Sequence, residues 1–222
     1  MPSARRALAL ALLSPLALTL SACGDPSYHY VKNSGDKTYF RVPAEWHEID
    51  EKSLNSALND TDPDSATAEV IDKITWSVAY DADAKPSAAH LLGLGSDQPF
   101  VYATVRRLTD PEQGTISLNH LRDLFLPVTE TSRQTASDNG TGLRGFELLR
   151  DELLTPGHGV RGVRTTYNYS AALGGLQTFD LTAYASDDGH LYWMIVRCSA
   201  KCFKDRKSEL DAIAESFTVR NT

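Results

Sequence analysis

GVRGVRTTYNYS (159–170), QTFDLTAYA (177–185) and LYWMIVR (191–197) are three β-branched and aromatic runs in close succession, and their reading decides the fold. Each has the composition of a strand. A fourth, Phe146 to Leu154, precedes them across Thr155-Pro156-Gly157-His158, and the other separators are Gly174-Gly175 and Ser186-Asp187-Asp188-Gly189. Such short, turn-rich connections join antiparallel neighbours, so residues 146–197 predict a four-strand meander.

Working toward the C-terminus, Leu210, Ile213, Ala214 and Phe217 form the apolar stripe of a closing helix over Lys204 to Ser216. Toward the N-terminus, Phe100 to Leu108 reads as a strand with Val101, Ala103 and Val105 on one face. Ile74 to Tyr80 reads as another, and Thr38 to Val42 as an early one stopped by Pro43. Asp50 caps a predicted helix through Leu58, and Ser87 caps a short one through Leu92. Thr115 to Leu126 shows helical spacing up to Pro127, while polar Thr129 to Gly142 reads as a surface loop. The sum is α+β: a single, mainly antiparallel sheet flanked by helices.

At the start of the chain, Arg5-Arg6, an apolar core from Ala7 to Leu20 and the small pair Ser21-Ala22 make up the three regions of a secretory signal. The core is about 14 residues, short of the roughly 20 a spanning helix needs. Leu20-Ser21-Ala22-Cys23 resembles a bacterial lipobox. The resemblance implies cleavage before Cys23, a diacylglyceryl thioether on its sulfur and incorporation of palmitate-class acyl chains. Two or three chains, at roughly 0.8 kcal/mol per buried methylene, make a firm anchor. The expected organisation is a signal peptide over 1–22, a short lipidated tether over 23–36, in which Tyr28 to Val31 could already pair as a strand, and one α/β domain over 37–222. The location that follows is the extracytoplasmic side of a cell membrane. The Arg5-Arg6 pair is only a weak match to a twin-arginine signal, since Ala7-Leu8 follow it and two arginines serve equally well as a plain positive n-region.

Without residues 1–22 the chain carries 20 Lys and Arg against 29 Asp and Glu, about −9 in net charge. Nucleic acid and anionic headgroups repel such an acidic domain, and no basic cluster looks like a phosphate-tracking patch, so no nucleic-acid partner is expected. Cys198 and Cys202 remain as an even pair in an oxidising compartment, and a structural disulfide is expected, with two free thiols or redox or metal chemistry as the other readings.

Chemistry-bearing motifs are sparse. Gly140-x-Gly142-x-x-Gly145 and Gly157-x-Gly159-x-x-Gly162 match a dinucleotide fingerprint in spacing only. Neither follows a buried strand and opens a helix, so both read as turn glycines and no cofactor is implied. The six histidines, His29, His47, His90, His120, His158 and His190, show no metal-ligand spacing; His158 and His190 are expected in solvated turns, and no metal site is expected. No nucleophile elbow or Ser-x-x-Lys occurs. What remains is tyrosine: Tyr167 and Tyr169 share one strand face, and Tyr184 and Tyr192 fall on the opposite faces of theirs. They are core beneath the helices or, where a face is uncovered, the lining of a ligand groove or partner surface.

The opening Tyr39-Phe40-Arg41-Val42-Pro43 with Trp46, the tyrosine-rich meander and the ending Ile213-Ala214-Glu215-Ser216-Phe217 resemble the PsbP/Mog1 fold, and within it the exported lipoproteins similar to mycobacterial LpqN. The resemblance implies an α/β/α sandwich and an accessory or binding role without a catalytic constellation. The expected function is thus a membrane-anchored, non-catalytic binding or accessory module for an exported protein or small ligand. The alternatives are a hydrolase with an unrecognised active site and a purely structural envelope component.

Overall fold

The computed structural model describes residues 27–51, 53–54, 74–170 and 175–220. The signal segment, Cys23 and the part beyond Leu54 of the helix expected from Asp50 through Leu58 lie outside the described residues. Within them, no helix is long and apolar enough to cross a membrane.

The strands are β1 Tyr28–Asn33, β2 Thr38–Pro43, β3 His47–Ile49, β4 Thr75–Asp81, β5 Phe100–Arg107, β6 Arg144–Gly157, β7 Val160–Ser170, β8 Leu176–Ser186, β9 His190–Ser199 and β10 Thr218–Val219. The helices are α1 Asp110–Gln113, α2 Leu118–Arg122, α3 Glu130–Asp138, α4 Ala200–Asp205 and α5 Lys207–Ser216, with a 3-10 turn at Ala88–Leu92. The expected single sheet is in fact two. Seven strands in the order β3-β4-β5-β9-β8-β7-β6 form the main sheet, and β1-β2-β10 form a small one. All described pairings are antiparallel, and the predicted meander is β6 to β9.

Alternation along the strands gives the main sheet two apolar faces. On one, Ala79, Phe100, Tyr102, Tyr167, Phe179, Leu181 and Ile195 pack with Leu91, Leu121 and Val128. On the other, Val78, Val101, Ala103, Met194 and Val196 meet Phe203, Leu210, Ile213 and Phe217, together with Val31, Phe40 and Val42 of the small sheet and Trp46. The small sheet is thus a lid beside α4 and α5. Side chains such as Leu181, Ile195 and Leu210, all fully buried, each contribute roughly 1.5–3 kcal/mol by leaving water.

Four local expectations change. The domain begins by Tyr28, because β1 pairs with β2 over its whole length, from Tyr28 opposite Pro43 to Asn33 opposite Thr38. The helix expected over Thr115 to Leu126 shortens to α2, opened by Ser117, whose hydroxyl accepts from the His120 N–H at 3.0 Å. Polar Thr129 to Gly142 is not a loop but holds α3. Thr129 caps it, and Asp123 accepts from the Val128 and Thr129 N–H groups at 2.7 and 2.8 Å and from the Thr129 and Ser132 hydroxyls. The closing helix is two, because Ser199 caps an earlier start at α4 and Arg206 leaves helical geometry between α4 and α5.

Candidate functional site

The two covered faces settle the place of the tyrosines. Tyr167 is fully buried and Tyr169 nearly so in the first core, beside Phe146 and Phe179, and the Tyr169 hydroxyl donates to the Pro127 carbonyl at 2.7 Å. Tyr192 is buried and Tyr184 half-buried in the second core, against Phe217. The four do not come together as a groove, because helices lie on one face and helices plus the small sheet on the other.

The expected Cys198–Cys202 disulfide is not formed; both are free thiols. Cys198 is buried at the end of β9, and Cys202 sits half-buried in the first turn of α4. The Cys198 thiol donates to Cys202. That bond, with Arg206 and Arg197 nearby and against the effect of burial, holds Cys202 below the usual thiol range. The same bond and burial push Cys198 up.

The polar side chains do converge elsewhere, at the open end of the second face. There a cleft of about 280 Å³ lies between β6–β8 and the helices α4 and α5. Its floor is Thr166, Asn168 and Thr178, all buried. The Thr178 hydroxyl donates to Asn168 Oδ1 at 2.6 Å, and Asn168 Nδ2 donates to Glu147 at 2.8 Å. Leu149, Ala200 and Phe203 form an apolar wall, while Arg150, Lys204 and Lys207 set a cationic rim against a single carboxylate, Asp211. Arg150 is loosely held, 3.6 Å from both Glu152 and Asp211.

Beside the floor Arg164 donates to Asp180 at 3.0 and 2.7 Å and to Asp211 at 2.9 Å. Burial opposes its charge, but Asp180, Asp211 and Glu215 outweigh that and hold the guanidinium above its ordinary pKa. Burial raises the Asp180 carboxyl against the pull of Arg164. The pair fixes β7 to β8 behind the cleft and ties α5 to both.

A second polar cluster anchors the segment between β4 and β5. Asp81, fully buried, accepts from the Asp83 and Ser87 N–H groups and lies 2.7 Å from His90 Nδ1. Arg197, also fully buried, donates from Nη1 to the Ser96 carbonyl and to Gln177 at 3.1 and 2.9 Å, while its Nε and Nη2 have no partner. A carboxylate on an imidazole is half of a triad. Ser96, the nearby hydroxyl, donates instead to Asp83 at 2.6 Å, so the pair acts as a clamp on this segment.

Among the described residues no three His, Cys, Asp or Glu side chains form a metal-ligand group. His190 is more enclosed than expected, its side chain 14% exposed between Asp188 and Asp36. Gly157 and Gly159 are turn glycines, with φ of 88° and 72° around His158 at 53°. Gly162 is not: it lies within β7, where a Cβ would meet the Tyr184 ring at 2.4 Å and the Ala183 carbonyl at 2.5 Å. The cleft itself was missed because its residues, from 149 to 211, form no local motif. The closest sequence signal was the Lys204 and Lys207 pair.

No protein-family model and no curated protein sequence matches this chain. Solved structures do. The cyanobacterial PsbP (CyanoP) of Synechocystis sp. PCC 6803 superposes with a TM-score of 0.51 at 13% identity, over 93% of this chain and 100% of that one. LpqN of Mycobacterium tuberculosis, described as involved in cell envelope biogenesis, gives 0.46 at 14% identity, over 87% and 91%. A protein of unknown function from Pseudomonas aeruginosa, PA94, gives 0.41 at 11%, over 88% and 99%. The first of these shows the fold of this chain to be PsbP-like.

Proposed function

We propose that this PsbP-like domain is a non-catalytic binding or accessory module, held on the extracytoplasmic side of a membrane by lipid on Cys23. What carries the binding reading is the cleft between β6–β8 and the helices α4 and α5: apolar wall, hydroxyl and amide floor, cationic rim. That arrangement grips a molecule by an anionic end and an apolar body, the usual division of labour in a small-molecule or side-chain pocket. Support for the anchor is the lipobox-like Leu20 to Cys23.

Two experiments test the reading. Labelling of cells with palmitate should mark the wild-type chain and not Cys23→Ala; label retained on the variant would refute the anchor. A photo-crosslinking residue at Leu149, on the cleft wall, should capture one reproducible adduct in intact cells. The adduct should be lost on Lys204→Glu with the thermal midpoint unchanged. An absent adduct, together with turnover of ester or peptide substrates by the purified protein, would replace the binding reading with a hydrolase.

A further inference from the structure

The chain is acidic on average, yet one face is not. In the small sheet, Lys32 stands opposite Tyr39 and Tyr30 opposite Arg41, so these four share the side turned away from Val31 and Phe40. Tyr30 stacks on Tyr39 at 6.4 Å, and the Arg41 guanidinium lies 4.6 Å over the Tyr28 ring. At the hairpin end, a recess of about 630 Å³ opens between Lys32, Lys37 and Arg220, and among the described residues no carboxylate lines it. The Arg220 N–H bonds the Lys37 carbonyl at 3.1 Å, which fixes the C-terminal strand against the hairpin turn. Asp36, in the same turn, is engaged by Asn33 at 2.7 Å and lies 3.6 Å from His190.

We propose that this face of the small sheet lies on a membrane surface rich in anionic phospholipid, with the recess taking a headgroup phosphate. The proposal rests on the anchoring reading and specifies how the anchored domain is oriented. Its first support is chain length. Tyr28 begins β1 only five residues after Cys23, and five residues span no more than about 18 Å. An anchor at Cys23 therefore brings the small sheet to the membrane before any other part of the domain.

Its second support is the match of chemistry. Tyrosine, with an apolar ring and a polar tip, favours the headgroup level, and Lys and Arg favour anionic headgroups. The acidity of the rest does not cancel this, because charges beyond a Debye length of about 10 Å are largely screened. Lying flat sets Tyr28, Tyr30 and Lys32 at one depth and keeps the main sheet on the far side of the small one, away from the bilayer.

The test uses the full lipidated chain reconstituted in vesicles of phosphatidylcholine alone or with 30% phosphatidylglycerol. Acetylation of Lys32 and Lys37 is followed by mass spectrometry, with Lys201 on α4 as reference. In anionic vesicles Lys32 and Lys37 should react at least fivefold more slowly than in neutral ones, with Lys201 unchanged. High salt should abolish the difference. Arg220→Gln should cut it by about fivefold, the loss of one surface cation, while circular dichroism stays wild-type. Equal rates in both vesicles would overturn the proposal. Protection in native envelopes but in neither vesicle would also overturn it, and would mark the face as a protein-docking surface. A chain that carries no lipid and does not float with neutral vesicles refutes the anchor alone; the face is then read by adding that chain to the same two vesicles.

Discussion

Arg164 and Asp180 meet diagonally across β7 and β8 through two hydrogen bonds, with side chains only 7% and 0% exposed. Removing one partner of such a pair leaves a buried charge uncompensated. Asp180→Ala should therefore cost about 3 kcal/mol in urea unfolding. The double variant Arg164→Met, Asp180→Leu should recover much of that loss. A double variant as unstable as the single would show that the pair contributes more than it costs to desolvate.

Gly162→Ala should destabilise by about 1–3 kcal/mol, since its Cβ has no room between the Tyr184 ring and the Ala183 carbonyl. Gly175→Ala, where a Cβ meets nothing within 4 Å, is the control and should stay within about 0.5 kcal/mol of wild type. Equal midpoints for the two variants would refute this account of β7.

The two thiols should differ in reactivity. Cys202 is favoured as a thiolate by the Cys198 bond and by Arg206, while Cys198 is buried and pushed the other way. Iodoacetamide at neutral pH should modify Cys202 first. Cys198→Ser, which keeps a donor, should preserve that rate better than Cys198→Ala; identical rates in both variants would remove the hydrogen bond as the cause.

Acid should loosen the start of α1 before the rest. Arg106, 2.7 Å from Glu112, and the Thr109 N–H and hydroxyl hold the Glu112 carboxyl down at about 2, against an ordinary value of 4.5. A carboxyl lowered on folding stabilises the native state above its unfolded pKa. That contribution is full above about pH 4.5 and fades as pH falls toward 2. Protection factors of the amides over residues 109–114, corrected for the intrinsic pH dependence of exchange, should fall across this window. In Glu112→Gln they should be lower at neutral pH and nearly flat with acid; a wild-type profile in the variant would refute the link.

The sequence was most legible where one physical signal dominated. β-Branched and aromatic runs set off by short turns exposed β7, β8 and β9, and the stripe of Leu210, Ile213 and Ala214 exposed α5. Where stability comes from caps, periodicity is silent: α3 has no buried residue and is held by Thr129 and Asp123. The break at Arg206 carries no glycine or proline to announce it. The second sheet was hidden for another reason. Its strands β2 and β10 are nearly the full domain apart in the chain, and no local pattern encodes a pairing at that distance. The candidate cleft is illegible on the same ground, since Leu149, Thr178 and Lys204 become neighbours only in the fold.

The tie between the second and last strands also sets an order in time. The Arg41 N–H donates to the Ser216 hydroxyl, Thr218 and Val219 pair with Tyr39 and Thr38, and Phe40 packs on Phe217. A chain that emerges N-terminus first thus presents β1 and β2 long before the residues that cover them exist. The hairpin must wait, its apolar side exposed, until the last turn of α5 arrives, and contacts of such long sequence separation make for slow folding. Assembly of this domain is therefore completed next to its own beginning.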